Sequence, residues 1–369
     1  MATVWIYISF VLGVVLIVKC GDMFVDAAGW IARVSGIPAF VIGATIVSFA
    51  TTLPELIVSS IAAADGMQAL AIGNAVGSVT ANTGLILCVS ILFMPLALPR
   101  RQFMTKATLL IVALCALLVL TVDGRLTVWE SLLLLAIFAL FVTENLRAAK
   151  REDDGGARPP RPDRKAVAGN VVKFLVGAVG IVVGSKLLVE GGSGIALMLG
   201  VPESVIGFTV VAIGTSLPEL VTAVTALVKR ETSLSVGNIL GANIIDTVLI
   251  LPVCAVISGG ALPIASSMLM VDLPVCIAIN LIAFLPSFFT QKFSRWQAFL
   301  ALAGYVGEKF TDVDRVMLLM ECMPNEELLD ILFAVMPPNS ADEFGQALMA
   351  SLNRMEPGHW KYIVALIER

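Results

Sequence analysis

Two glutamates lie where glutamate is expensive. Glu55 and Glu219 each interrupt an otherwise apolar run, in segments 41–56 (VIGATIVSFATTLPEL) and 205–220 (VIGFTVVAIGTSLPEL) that agree at ten of sixteen positions. The spacing of 164 residues carries without a gap into a second pair, GNAVGSVTAN ending at Asn82 and GNILGANIID ending at Asp246. A carboxylate at mid-membrane depth costs on the order of 3 kcal/mol on insertion scales. A chain that carries this cost twice, at matched positions, is most simply read as building an ion site.

The neighbouring residues say which ions. Thr51, Thr52, Pro54 and Glu55 fall within a turn and a half of helix. Proline removes a backbone hydrogen bond and clashes with the carbonyl four residues earlier, around Ala50, so carbonyls near Ser48–Thr51 become free to bind a cation. The second copy repeats the set as Thr215, Ser216, Pro218 and Glu219, with Ala212–Gly214 at the loosened backbone. Hydroxyls, carbonyls and carboxylates together form an all-oxygen shell, which suits calcium and sodium. The only histidine, His359, lies in a polar tail, and no soft ligand stands at either motif, so zinc and copper are disfavoured. Gly73, Gly77 and Gly84, and Gly237 and Gly241 in the other half, let backbones approach closely. Asn82 and Asp246 then reach inward from matched positions. With the two glutamates they bring at most three negative charges, enough for one divalent ion or several monovalent ones.

The elements that must position these groups are membrane helices. The chain is 58% hydrophobic and 14% charged, against about 45–50% and about 25% in soluble domains. Nine apolar spans can be marked, near 4–31, 37–64, 68–94, 103–122, 126–146, 169–198, 202–228, 233–258 and 266–287. The first lacks a basic start and a small-residue cleavage site, so it reads as a retained helix and not a signal peptide. Between the fifth and sixth spans lies AAKREDDGGARPPRPDRK, a solvated linker. Basic residues gather on the linker's side of the spans, with only Arg125 opposite, which predicts a cytoplasmic linker and an external N-terminus. The second and seventh spans, five apart, then run in opposite directions, forming an inverted repeat of the kind that places substrate sites near the midplane. Lys19, Asp22, Lys186 and Glu190 read as local pairs or as the lining of a water path, and Asp26 aligns with Glu190 in the repeat. The six cysteines show no C-x-x-C spacing and read as packing residues. No nucleotide loop, zincin helix, hydrolase serine elbow or basic nucleic-acid surface is present, so neither an enzyme nor a nucleic-acid partner is expected.

The motifs ATTLPEL, GTSLPEL, GNAVGS and GNILGAN resemble the α-repeats of the cation/calcium antiporter superfamily, especially its bacterial sodium/calcium exchangers, over about residues 1–306. That resemblance implies an all-α polytopic protein of two inverted five-helix repeats, with four cation sites in a diamond at the midplane. Glu55, Glu219, Thr51 and Thr215 would hold calcium, the threonines through their carbonyls. Asn82 and Asp246 would complete the central site, with water or a proton there in place of sodium. The Ser48 and Ala212 carbonyls, with Thr52, Ser78 and Ser216, would serve flanking sodium sites. The first and sixth helices would slide across the rest to alternate access. Calcium, sodium and the bilayer are the implied partners, with no cofactor.

Two features depart from the family pattern. The repeat partner of Ser78 is Ala242, so one sodium site loses a hydroxyl. The tenth apolar run, WQAFLALAGYV, lasts eleven residues before Glu308 and Lys309, and a tail with eleven acids and five bases over 304–369 follows. The expected organisation is therefore a first membrane repeat (1–147), a linker (148–168), a second repeat (169–306) with a shortened last helix, and a soluble helical tail (307–369). Besides sodium-coupled exchange, proton or potassium coupling in the same fold, and a non-transporting cation sensor acting through the tail, fit these residues.

Overall fold

The structure, a computed structural model, describes residues 2–93, 100–153, 163–199, 214–290 and 292–310. Apolar runs free of proline give long helices. Helix α1 (Ala2–Ser35) has 34 residues, a rise of about 51 Å, and must tilt or protrude from a bilayer core about 30 Å thick. The chain continues through α2 (Ala39–Thr51) and α3 (Leu53–Ala64), bent by 43° against each other. Next come α4 (Gln68–Ile91), α5 (Arg100–Leu120) and α6 (Val128–Asp153). The second half comprises α7 (Arg164–Met198), α8 (Leu217–Val228), α9 (Thr232–Ile257) and α10 (Met268–Thr290), and α11 (Arg295–Phe310). Among the described residues seven helices are long and apolar enough to span, and the bent pair α2–α3 makes an eighth.

The spans marked from the sequence reappear with edges moved by a few residues, two cases apart. Helix α8 is the C-terminal half of the seventh span; Gly200–Ile213, and with them Ala212, lie outside the described residues. Helix α11 has 16 residues, about 24 Å, and so is short, as expected of the tenth run. It reaches Phe310, four residues past the expected boundary. It packs against α4 and α10: a Cβ on Gly84 would stand 2.6 Å from Tyr305 Cβ. Residues 311–369, all but the first four of the expected soluble tail (307–369), lie outside the described residues, as does linker segment 154–162.

Three packings position the interior. Helices α1 and α7 run against each other along their length, joined at the Phe24 and Phe174 rings with centroids 4.5 Å apart. Helix α9 crosses α2 with the backbones touching: a Cβ on Gly237 would collide with the Phe40 carbonyl, and one on Gly241 would stand 2.5 Å from Ser48 Oγ. Only glycine permits that approach, which brings the end of α2 to the buried face of α9. The turns after α5 and α9 are tied by two short antiparallel strands, β1 (Arg125–Thr127) and β2 (Ala261–Pro263), paired Leu126 to Leu262.

The ion pairs differ from the local ones expected. Lys229, after α8, reaches Asp26 at 2.8 Å and Asp22 at 3.3 Å, both on α1, and Arg33 reaches Glu231 at 3.1 Å. Each joins the two halves of the chain. Glu190 accepts a hydrogen bond from Trp5 Nε1 at 3.0 Å, again between α1 and α7.

Candidate cation site

The two proline motifs adopt the same local geometry. Thr52 (φ −84°, ψ −3°) precedes α3 and Ser216 (φ −86°, ψ 4°) precedes α8, each followed by proline in the first turn. Proline lacks an N–H, so α2 does not pass its hydrogen-bond ladder through Pro54 into α3, and α8 opens on Pro218 in the same way. The break puts Glu55 and Glu219 into the first turns of α3 and α8, where helix dipoles favour negative charge.

Asn82 and Asp246 also share a local device. Each opens a stretch of π-helix, Asn82–Leu87 in α4 and Asp246–Ile250 in α9. A third such stretch, Gly43–Val47, directly precedes Ser48 in α2. A π turn inserts one residue into the helical repeat and rotates the side chains beyond it, a feature common at functional sites.

The predicted site side chains within the described residues are brought together and, except for the half-buried Thr215, are buried. Ser48, Thr51, Thr52, Glu55, Ser78, Asn82, Ser216, Glu219 and Asp246 are all at most 3% exposed. Thr52 Oγ1 donates to Glu219 Oε1 at 3.4 Å, linking the end of α2 to α8. Ser216 Oγ bonds Ser78 Oγ at 3.4 Å, linking α8 to α4. Glu219 and Asp246 both bear electrostatically on Glu55. Both Glu55 oxygens, Glu219 Oε2, both Asp246 oxygens and Asn82 Oδ1 are buried without a hydrogen-bond partner among the described residues. A buried, unpaired carboxylate costs several kcal/mol unless a cation or a proton compensates it. This donor set therefore fits bound cations. Among the described residues no three Asp, Glu, His or Cys side chains stand close enough to hold a metal by themselves. The shell must accordingly be completed by hydroxyl, amide and carbonyl oxygens, the mixed donor set typical of calcium and sodium.

Two asparagines of the glycine-rich motifs, Asn74 and Asn238, also reach the site. Asn238 Oδ1 accepts from Thr51 Oγ1 at 3.2 Å, and Asn74 Oδ1 accepts from Thr215 Oγ1 at 3.2 Å. Asn74 Nδ2 also reaches the Glu55 carbonyl at 3.3 Å and Ser59 Oγ at 2.9 Å. These bonds hold each threonine against the opposite repeat, and the asparagines are themselves 164 residues apart. That spacing is the signal that identifies them. Thr83 and Thr247, another matched pair, flank Asn243, whose Nδ2 donates to Thr83 Oγ1 at 2.8 Å.

The two halves are not equal at one point. Ser216 has Ser78 opposite it, whereas its counterpart Thr52 has Ala242 as the matching position, and Thr52 turns to Glu219. Gly73 and Gly77, expected to mark close approaches, face no atom of the described residues within 4 Å.

Known proteins resemble the chain over both repeats. A family model described as sodium/calcium exchanger protein matches residues 5–146 and 169–307, the two repeats without the linker. An uncharacterised membrane protein of Methanocaldococcus jannaschii, MJ0091, is 32% identical over 303 residues, covering 80% of this chain and 94% of its own. The sodium/calcium exchanger MaX1 of Methanosarcina acetivorans is 30% identical over 343 residues, covering 81% and 96% respectively. The solved structure of the sodium-calcium exchanger NCX_Mj, soaked with 10 mM Na+ and zero Ca2+, superposes with a TM-score of 0.72 at 30% identity, over 82% of this chain and 97% of that one. With its two matched repeats, its polytopic helical fold and these relatives, the chain belongs to the sodium/calcium exchanger family of membrane transport proteins.

Proposed function

We propose that the chain is a secondary-active antiporter that exchanges Ca2+ for Na+ at the site between α2–α3, α4, α8 and α9. The observation that carries this reading is the pair of buried carboxylates, Glu55 with neither oxygen bonded and Glu219 with one oxygen free, each in the first turn of a helix opened by proline and ringed by hydroxyl and amide oxygens. Thr51 and Thr215 join the glutamates in holding calcium, the threonines through their carbonyls. Asn82 and Asp246 form the central position. Ser48, Thr52, Ser78 and Ser216, with the Ala212 carbonyl, serve sodium. Coupling follows from sharing. Both ions need the same two glutamates, so one kind discharges the other, and the unpaired carboxylates are too costly to carry across a dry barrier uncompensated. The linker lies in the cytoplasm and the N-terminus outside.

The test is radioactive calcium uptake into proteoliposomes loaded with sodium, comparing the native chain with Glu55→Gln and Glu219→Gln. Uptake that requires the sodium gradient and vanishes in both variants is expected; sodium-independent uptake would refute the coupling. A proton-coupled form of the same exchanger is favoured by one observation, the missing hydroxyl at Ala242. Uptake driven by a pH gradient without sodium is its mark.

A further inference from the structure

Away from the cation site, one cavity collects basic groups that transport does not use. It lies between α5 and α6 and has a volume of about 240 Å³, smaller than the roughly 300 Å³ at which drug-sized pockets begin. Its lining includes Arg101, Gln102, Thr105 and Lys106 from α5, and Glu144 and Arg147 from α6. The one acid is already engaged, Glu144 holding Arg147 at 2.7 Å. Lys106 is only 2% exposed. Its nearest recorded interaction is the Phe40 ring, with the ammonium 5.4 Å from the centroid, and among the described residues it makes no ion pair. The Glu144 carboxylate, already engaged by Arg147, also bears on this ammonium, so one acid is shared among three cations and the buried ammonium stays undercompensated. Gln102 Oε1 is likewise buried without a hydrogen-bond partner.

We propose that this cavity binds a phosphate group whose neighbouring atoms include a hydroxyl, as in the headgroup of an anionic glycerophospholipid. Three cations against one carboxylate leave two positive charges uncancelled. Guanidinium groups pair with phosphate oxygens in a planar fork, and lysine adds a point charge at the floor. The Thr105 hydroxyl already donates to the Arg101 carbonyl at 3.0 Å and so offers a ligand only its lone pairs, and the orphaned Gln102 carbonyl calls for a hydroxyl that donates to it. The cavity also stands at the ends of α5 and α6 nearest the basic linker, on the face that the charge distribution assigns to the cytoplasm. Basic pockets between helices on that side meet anionic headgroups. The counterpart of α5 in the second repeat, Met268–Thr290, has no lysine or arginine, so the feature is not a by-product of the repeat.

The full chain, purified in detergent, is examined by native mass spectrometry and thermal melting with added phosphatidylglycerol, phosphatidylcholine, inorganic phosphate or glycerol 3-phosphate. The variants are Lys106→Met and, because a buried lysine can be needed for folding, the exposed double variant Arg101→Gln with Arg147→Gln. One phosphatidylglycerol retained per chain in preference to phosphatidylcholine, with retention falling about tenfold in the double variant, is expected on loss of charge-assisted bonds. If millimolar soluble phosphates leave that lipid in place, the lipid is the source. If they displace it and raise the melting temperature alone, the phosphate site stands and its ligand is free phosphate. Equal retention of the two lipids with no effect of soluble phosphate, or retention unchanged in the double variant, would overturn the proposal.

Discussion

Lys229 closes one face of the molecule, and removing it should open that face by a calculable amount. The ammonium holds Asp26 at 2.8 Å and Asp22 at 3.3 Å, and Arg33 holds Glu231 at 3.1 Å beside it. All three contacts clamp α1 to the turn between α8 and α9. The acids on α1 are more than half exposed and Lys229 is about one quarter exposed, so each pair is worth about 0.5 kcal/mol. Lys229→Ala removes two of them, about 1 kcal/mol, a shift of roughly fivefold toward the form in which α1 has left this turn. The repeat supplies the reverse device with charges exchanged. The counterpart of Asp22 is Lys186, and that of Lys229 is Asp65. Among the described residues neither makes an ion pair here; in the alternating access that the family resemblance implies, Lys186 on α7 and Asp65 after α3 would be the pair that clamps the opposite face. Spin labels at Ser35 and Ser233, in a background free of the native cysteines, report the distance across the closed turn by pulsed electron resonance. Lys229→Ala should populate a longer distance, Lys186→Ala should not, and Asp26→Lys with Lys229→Asp should restore the short one. At about 1 M salt, where screening acts within about 3 Å, the native chain should drift toward the variant. A distance distribution identical in native and Lys229→Ala protein at low salt would refute the reasoning.

Other outcomes follow from the same geometry. Glu55→Gln should raise the melting temperature in cation-free buffer while abolishing calcium uptake, because the amide removes an unpaired buried charge; a lower melting temperature would mean that the carboxylate is satisfied without ions. Ala242→Ser restores a hydroxyl at the position matching Ser78 and should lower the sodium concentration giving half-maximal exchange. Gly237→Ala places a methyl on the Phe40 carbonyl and should cost about 1–3 kcal/mol or more by overpacking, seen as a lower melting temperature. Gly36→Ala, in open space but at φ +68°, should cost less, about 1 kcal/mol from the left-handed backbone alone.

Some of this was legible in the sequence because it breaks a rule, and the rest was hidden because it obeys one. Glu55 and Glu219 stand out since a carboxylate in an apolar run is costly, and the matched spacing turns two anomalies into one site. Proline at 54 and 218 announced the breaks in the same way, and the structure shows nearly equal backbone angles at Thr52 and Ser216. Asn74 and Asn238 passed without a role because an amide in a helix is cheap and common; only their repeat spacing distinguishes them. The π turns at Asn82 and Asp246 have no local composition signal, since they arise where a helix accommodates its neighbours. The Lys229 contacts join residues some two hundred positions apart, beyond any periodicity, and the expectation of local pairs fails for that reason.

That contrast bears on the asymmetry at Ala242. Read along the sequence, it is a lost ligand in one of two equal halves. In the folded chain the hydroxyl left over, on Thr52, reaches Glu219, whereas Ser216 reaches Ser78. The two glutamates are therefore not equivalent: Glu219 already has a donor, and both oxygens of Glu55 lack one. The carboxylate with neither oxygen satisfied has more to gain from a cation. Glu55→Gln should accordingly weaken calcium binding more than Glu219→Gln does, and in Ala242→Ser that difference should shrink as Thr52 is offered a second partner. Calorimetric titration of calcium into the purified variants measures both quantities, and equal losses at the two glutamates would show that the Thr52 contact does not set their ranking.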